Sequence, residues 1–189
     1  MMTKTIRLTR EDWLETGLQL LSNSGEQALT VERLCKATSR TKGSFYHHFQ
    51  DRDRFVDALL EYWQSKYTDK IITAVERLKD PIAQRRELDR LAANVDNQLE
   101  RVIRNWSAVD ERVRQIIRQV DEQRINYLTN LISNLGQIDR QTANELAIVE
   151  YAAFLGLQYL FPDDNSRRME HFITRVTEII SSYSSQQNK

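Results

Sequence analysis

TKGSFYHHF occupies residues 41–49, inside the longer run LTVERLCKATSRTKGSFYHHFQDRDRFVDALL at residues 29–60. A Lys, a Gly and a Ser precede a cluster of five ring-bearing side chains. Thr41 is placed to cap a short helix, because its hydroxyl can accept backbone N–H groups that the first helical turn leaves free. Upstream, Thr30 stands in the same relation to VERLCKAT, with Val31, Leu34 and Cys35 on one face. Ser39 and Arg40 break that pattern. Further back, Thr9 and Asp12 have capping-box spacing, and Leu8 and Trp13 occupy the two positions of a hydrophobic staple. Trp13, Leu14, Leu18 and Leu21 recur at helical spacing until Gly25. Three helical segments thus fall within about fifty residues, the last two joined by a turn of three or four, which is helix-turn-helix spacing.

The rest of the 189-residue chain is consistent with an all-α protein. It holds 5 Gly and 2 Pro, few enough breakers to favour long helices over a many-stranded sheet. Its 27 basic and 27 acidic residues cancel, so attraction to nucleic acid must come from a local patch. Cys35 is the single cysteine, which excludes an intramolecular disulfide and fits a reducing cytoplasm. MMTKTIRLTR lacks the apolar core of a signal peptide. The most apolar run, residues 146–161, is short for a membrane span and contains Glu150 and Gln158, so a buried helix is expected and no membrane partner.

From residue 51 onward the pattern predicts five further helical stretches. One covers residues 51–79, with Phe55, Leu59, Tyr62 or Trp63, and Ile71 on a stripe. Another covers residues 82–106, bent or broken near 95–98. A long helix at 109–135 carries Val109, Val113, Ile116, Ile117, Val120, Leu128, Leu131 and Leu135, and Gly136 ends it. Residues 140–161 form a helix apolar nearly all round, stopped by Pro162. Residues 166–183 turn Phe172, Val176, Ile179, Ile180 and Tyr183 inward, followed by a frayed tail.

Residues 29–60 resemble the DNA-binding segment of TetR-type transcriptional regulators. The family pattern, a Thr-capped second helix, a short recognition helix ending in a Tyr-x-His-Phe-like element and a basic residue opening the fourth helix, is met by Thr30, by TKGSFYHHF and by Arg52. Two positions depart from it: Ser39 replaces the usual turn glycine, and Arg40 replaces a small buried aliphatic. Arg40 must run its stem along the core with its guanidinium out, where it either contacts phosphate or loosens the turn. The resemblance implies an N-terminal three-helix helix-turn-helix domain, residues 1–52, and a larger helical effector-binding and dimerisation domain, residues 53–189.

It also implies that the short helix enters the major groove. Thr41 can offer its hydroxyl or N–H to a phosphate. Lys42 adds charge, and Gly43 keeps the helix face low for close approach. Ser44 can reach a base edge, and Tyr46 and His47 carry polar tips suited to phosphate or a thymine methyl. Phe45 and Phe49 are read as core, and His48 is undecided. A metal site at His47 and His48 is not expected, since neighbouring helical residues diverge by about 100° and no further ligand stands at suitable spacing; no cofactor is expected either. Residues 30–54 hold six basic side chains against three acidic ones, a net charge of +3. Lys4, Arg7 and Arg10 can add phosphate contacts.

The same resemblance implies a homodimer through residues 140–183, matching a palindromic double-stranded DNA operator, and a small-molecule effector pocket in the larger domain. Candidate lining residues are Trp63, Tyr67, Trp106, Arg124, Tyr127, Tyr151 and Phe154, each of which ordinary core packing also explains. Arg124 lies on an apolar stripe, where it binds an anionic effector, pairs with Glu150 or, the preferred reading, snorkels outward. The functional expectation is a cytoplasmic, ligand-responsive repressor released from its operator by a small molecule. The alternatives are a helical interaction protein with a decayed DNA-binding face, or an all-α enzyme, for which no nucleophile motif, metal cluster or phosphate loop is present. Operator sequence, regulated genes, effector identity and repression as against activation are not written in the residues.

Overall fold

The computed structural model describes residues 8–135, 138–162 and 166–186, which form ten α-helices and no strand. They belong to two compact units, residues 1–64 and 65–189. Lys4, Arg7 and Gly136 lie outside the described residues, as does the side chain of Tyr183.

In the first unit, α1 (Arg10–Ser24) opens with the expected capping box: the Thr9 hydroxyl accepts from the Asp12 N–H at 3.2 Å, and Asp12 accepts from the Thr9 N–H at 2.7 Å. Those bonds hold the Asp12 carboxyl below its ordinary range. Gly25 ends the helix at φ 72°, a backbone conformation that costs glycine little. A 3-10 turn (Glu26–Ala28) leads to α2 (Val31–Thr38), capped by Thr30, and α3 (Lys42–His48) follows, capped by Thr41. Then α4 (Arg52–Gln64) lies along α1.

Gly17 makes that crossing possible. A Cβ there would stand 2.6 Å from Phe55 Cζ and 3.0 Å from Leu59 Cδ1. Phe55, Val56, Leu59, Leu60 and Trp63 are buried. Tyr62 adds a polar clamp by donating to Glu15 at 2.5 Å and to Glu11 at 3.0 Å. The apolar face of α4 is spent on α1, and this compact unit runs to Gln64.

In the second unit, a π-helical turn (Ser65–Asp69) continues into α5 (Lys70–Glu76). Next come α6 (Pro81–Ala92) and α7 (Asn97–Ser107), separated near the expected break. The long α8 (Glu111–Leu135) packs along α9 (Arg140–Leu160), and α10 (Ser166–Gln186) lies on α9 and α6. The core joins Leu128, Ile132, Ala143, Ala147, Tyr151 and Ile180. At about 25 cal/mol per Å2 of apolar surface, each large buried side chain contributes about 1.5–3 kcal/mol.

Several inward assignments change. Val109 precedes α8 and is 80% exposed, because α8 starts only at Glu111. Leu135 is exposed at the last turn of α8. Among the described side chains of α10 the buried positions are Met169, Ile173 and Ile180, while Ile179 turns outward. The expected frayed tail is helical to Gln186. As expected of an all-round apolar helix, α9 buries one side only within the unit: Ile148, Val149 and Leu160 remain exposed. Among the described residues no helix is long and apolar enough to cross a membrane.

Candidate nucleic-acid interface and effector cavity

The short α3 divides its side chains cleanly. Phe45 is fully buried among Trp13, Phe49 and Phe55, with ring centroids 5.0–5.6 Å apart through the cluster. Phe49 is buried with it, and the Arg10 guanidinium lies 5.2 Å above its ring, a cation–π contact that sets a positive charge beside α3. Thr41, Lys42, Gly43, Tyr46 and His47 are exposed, while Ser44 and His48 are half-buried. This aromatic cluster fixes the helix by one face and leaves the other exposed.

The caps bear on chemistry as well as on helix formation. Thr41 accepts from the Ser44 N–H at 3.3 Å, so its hydroxyl proton remains to donate. Thr30 accepts from the Arg33 N–H at 3.2 Å in the same way. Gly43 has no internal reason to be glycine: its φ is ordinary, and a Cβ would meet only Thr41 Oγ1, at 3.8 Å. The low surface it leaves faces away from the unit.

The turn between α2 and α3 accommodates its departures. Ser39 adopts the left-handed conformation, φ 53° and ψ 42°, and its N–H bonds back to Lys36, while the Arg40 N–H bonds to Cys35. Arg40 is half-buried. Lys42 is paired with Glu32 across α2 and α3, which raises the ammonium and lowers the carboxyl. That exposed pair is screened by solvent and contributes little to the fold. Arg52 donates Nε–H to the Leu29 carbonyl at 2.6 Å, so part of its guanidinium is spent bracing a fully buried segment.

Separately, the second unit contains a cavity of about 90 Å3. Of the residues proposed from sequence, Tyr67, Arg124, Tyr127, Tyr151 and Phe154 line it; Trp63 and Trp106 do not, being buried in the first and second units respectively. The cavity wall also includes Thr68, Asp89, Glu100 and Glu150, none of which was singled out as lining.

Arg124 neither snorkels nor pairs with Glu150. It donates to Glu100 Oε1 at 3.0 Å, Thr68 Oγ1 at 3.0 Å and the Tyr151 hydroxyl at 3.2 Å. Burial alone lowers its pKa, but Glu100 and Tyr151 together more than offset that and the group stays charged. Arg104 joins the cluster through Glu100, Asp121 and Tyr151. A second cluster sets Arg85 between Asp89, at 3.2 Å, and Glu150. Burial pushes the Asp89 carboxyl up to about 6, with Arg85 opposing and the charge of Glu150 reinforcing the rise. The helical spacing of Arg85 and Asp89, and of Glu100 and Arg104, signalled each pair in the sequence; which helix each pair faces depends on packing. Among the described residues no group of three or more His, Cys, Asp or Glu could hold a metal ion.

Residues 14–59 match the family model of bacterial regulatory proteins, tetR family. The HTH-type transcriptional repressor NemR of Escherichia coli (strain K12) is 36% identical over 63 residues, 33% of this chain and 32% of that protein. The chain therefore matches about a third of that curated relative's length. Across nearly the whole chain the fold is similar to solved structures. One is a transcriptional regulator from Rhodococcus sp. Rha1, 17% identical at a TM-score of 0.75, covering 95% of this chain and 97% of that one. Another is AibR in complex with isovaleryl coenzyme A and operator DNA, 16% identical at 0.66, covering 87% and 95%.

Proposed function

We propose that this chain is a TetR-type transcriptional regulator, as its match over residues 14–59 supports, and that it is a ligand-responsive repressor which binds a palindromic operator as a homodimer. The observation that carries this reading is α3 itself, locked by Phe45 and Phe49 and presenting Thr41, Lys42, Gly43, Tyr46 and His47 outward. Thr30, Arg40, Ser44 and Arg52 complete the proposed DNA-facing set, with Arg52 bracing the segment as well. Phosphate contacts set register, and the small and ring-tipped groups of α3 read base edges.

The dimer reading rests on the exposed apolar residues Ile148, Val149 and Leu160 of α9 and Ile179 of α10. Isologous pairing there gives the two-fold symmetry that a palindromic operator requires. The cavity of the second unit supplies the effector site, and its occupant shifts operator affinity only by its preference for one conformation over the other. AibR, a protein of the same fold, is described with both a coenzyme A ester and operator DNA. Such a regulator works in the cytoplasm.

A decayed DNA-binding face would leave the turn between α2 and α3 poorly formed. Ser39 takes the required left-handed conformation with its hydrogen bonds in place, which favours a working reader. An electrophoretic shift assay with DNA from the gene's own upstream region tests the proposal. A discrete complex that survives excess unrelated duplex is expected; equal affinity for unrelated duplex contradicts it.

A further inference from the structure

The polar groups of the second-unit cavity indicate the charge its ligand must carry. Three lining carboxylates, Asp89, Glu100 and Glu150, face one lining guanidinium, Arg124. Behind the wall, Arg85 and Arg104 add two positive charges and Asp121 one negative. The cluster thus holds four carboxylates and three guanidiniums. The three guanidiniums are all committed to carboxylates, so none is left to receive an anion.

What is left over is acceptor capacity. Glu150 is 7% exposed, and its Oε2 has no hydrogen-bond partner among the described residues, although Oε1 accepts from Arg85. The Tyr127 hydroxyl, also in the cavity wall, is shielded from solvent and likewise without a partner there. A buried carboxylate oxygen left without a donor is costly, so its position in a cavity wall points to a ligand that brings one. Apart from Thr68, whose hydroxyl oxygen accepts from Arg124, the remaining wall is aromatic and aliphatic: Tyr67, Tyr151 and Phe154 present rings, and Ile71, Ile72 and Leu157 an apolar lining. Aromatic faces attract cations and repel anions.

We propose that this cavity binds a small protonated amine with an apolar body, its ammonium N–H groups donating to Glu150 Oε2 and the Tyr127 hydroxyl. The inference rests on the reading of the cavity as the effector site. An anion such as a carboxylic acid would meet Glu150 and Asp89 with no free guanidinium to offset them. A quaternary ammonium would satisfy the aromatic rings but leave Glu150 Oε2 without a donor.

Isothermal titration of the full chain with 2-phenylethylamine and with phenylacetate, close in size and opposite in charge, tests the assignment. The amine should bind at least tenfold more tightly than the acid. Tyr127→Phe removes a hydroxyl that has no partner to lose, so the fold is kept, and it should weaken the amine about fivefold or more. Glu150→Gln should weaken it further where the variant folds. Equal or tighter binding of phenylacetate, no binding of the amine, or amine affinity unchanged in Tyr127→Phe overturns the proposal. A parallel operator titration separates the two readings. Amine binding that leaves operator affinity unchanged upholds the ligand class and defeats the effector role; release by phenylacetate alone does the reverse.

Discussion

Gly43→Ala should raise the stability of the protein and lower its affinity for DNA. Gly43 is the second residue of α3, its φ is ordinary, and the nearest atom to an added Cβ is Thr41 Oγ1 at 3.8 Å, a normal van der Waals contact. No strain opposes the change, so the alanine gains the usual reduction of unfolded-chain entropy, about 0.4–1 kcal/mol. For a chain of this size that is about 1–4 °C in Tm. Gly17 shows the contrasting case, where a Cβ 2.6 Å from Phe55 Cζ makes the glycine a packing requirement. If α3 lies against DNA with its backbone close, the added methyl must push the helix away. A loss of at least tenfold in operator affinity, about 1.4 kcal/mol, is then expected. Thermal unfolding by circular dichroism gives the first quantity, and fluorescence anisotropy on a labelled operator at fixed salt gives the second. A variant that is more stable and binds as tightly as the wild type would refute the close approach of α3 to DNA.

Ser39→Gly should stabilise the chain by about 1 kcal/mol, because Ser39 holds φ 53° and glycine avoids the Cβ strain of that region; an unchanged urea midpoint would show that the turn carries no such strain. Val149→Asp with Ile179→Asp, at positions 61% and 66% exposed in the protomer, should yield folded monomers. Each lost apolar contact removes up to about 1.5–3 kcal/mol from the interface; light scattering showing an unchanged dimer, or a wild type that is monomeric at micromolar concentration, goes against the assignment. Val176 is unsuitable for that test, since it lines the cavity. Asp89 carries a folded-state pKa of about 6, above the 3.8 of an unburied aspartate. The folded state therefore binds the extra proton, and stability contributed by this group rises as pH falls from 7 towards 5. Urea midpoints at the two pH values should show wild type gaining on Asp89→Asn; parallel behaviour would place the titration elsewhere.

Local features were readable from sequence because their causes are local. Thr9, Thr30 and Thr41 cap the helices they precede, since a cap depends only on the few residues after it. The split of α3 into Phe45 and Phe49 inward and Tyr46 and His47 outward followed from helical spacing once the motif was placed. Choices made by tertiary packing were not readable. Ile179 and Ile173 are equally apolar, and only the course of α10 across its neighbours decides that Ile173 is covered. Arg124 looked like an edge residue because its partner, Glu100, is on another helix 24 positions away. Tyr67, Tyr127, Tyr151 and Phe154 were found as cavity lining because rings are conspicuous; Glu100 and Asp89 were missed because a carboxylate in a polar stretch looks like solvent-facing surface until a cavity is seen beside it.

The central claim is that the exposed face of α3 reads DNA, and operator affinity of Tyr46→Ala measures it most directly. Tyr46 is 51% exposed and meets the buried Phe45 ring in a T-shaped contact, centroids 5.4 Å apart, so its removal should leave the first unit folded. Anisotropy titrations at one salt concentration should show binding about 1–3 kcal/mol weaker than wild type, with helicity unchanged. Unchanged helicity together with unchanged operator affinity would contradict the account.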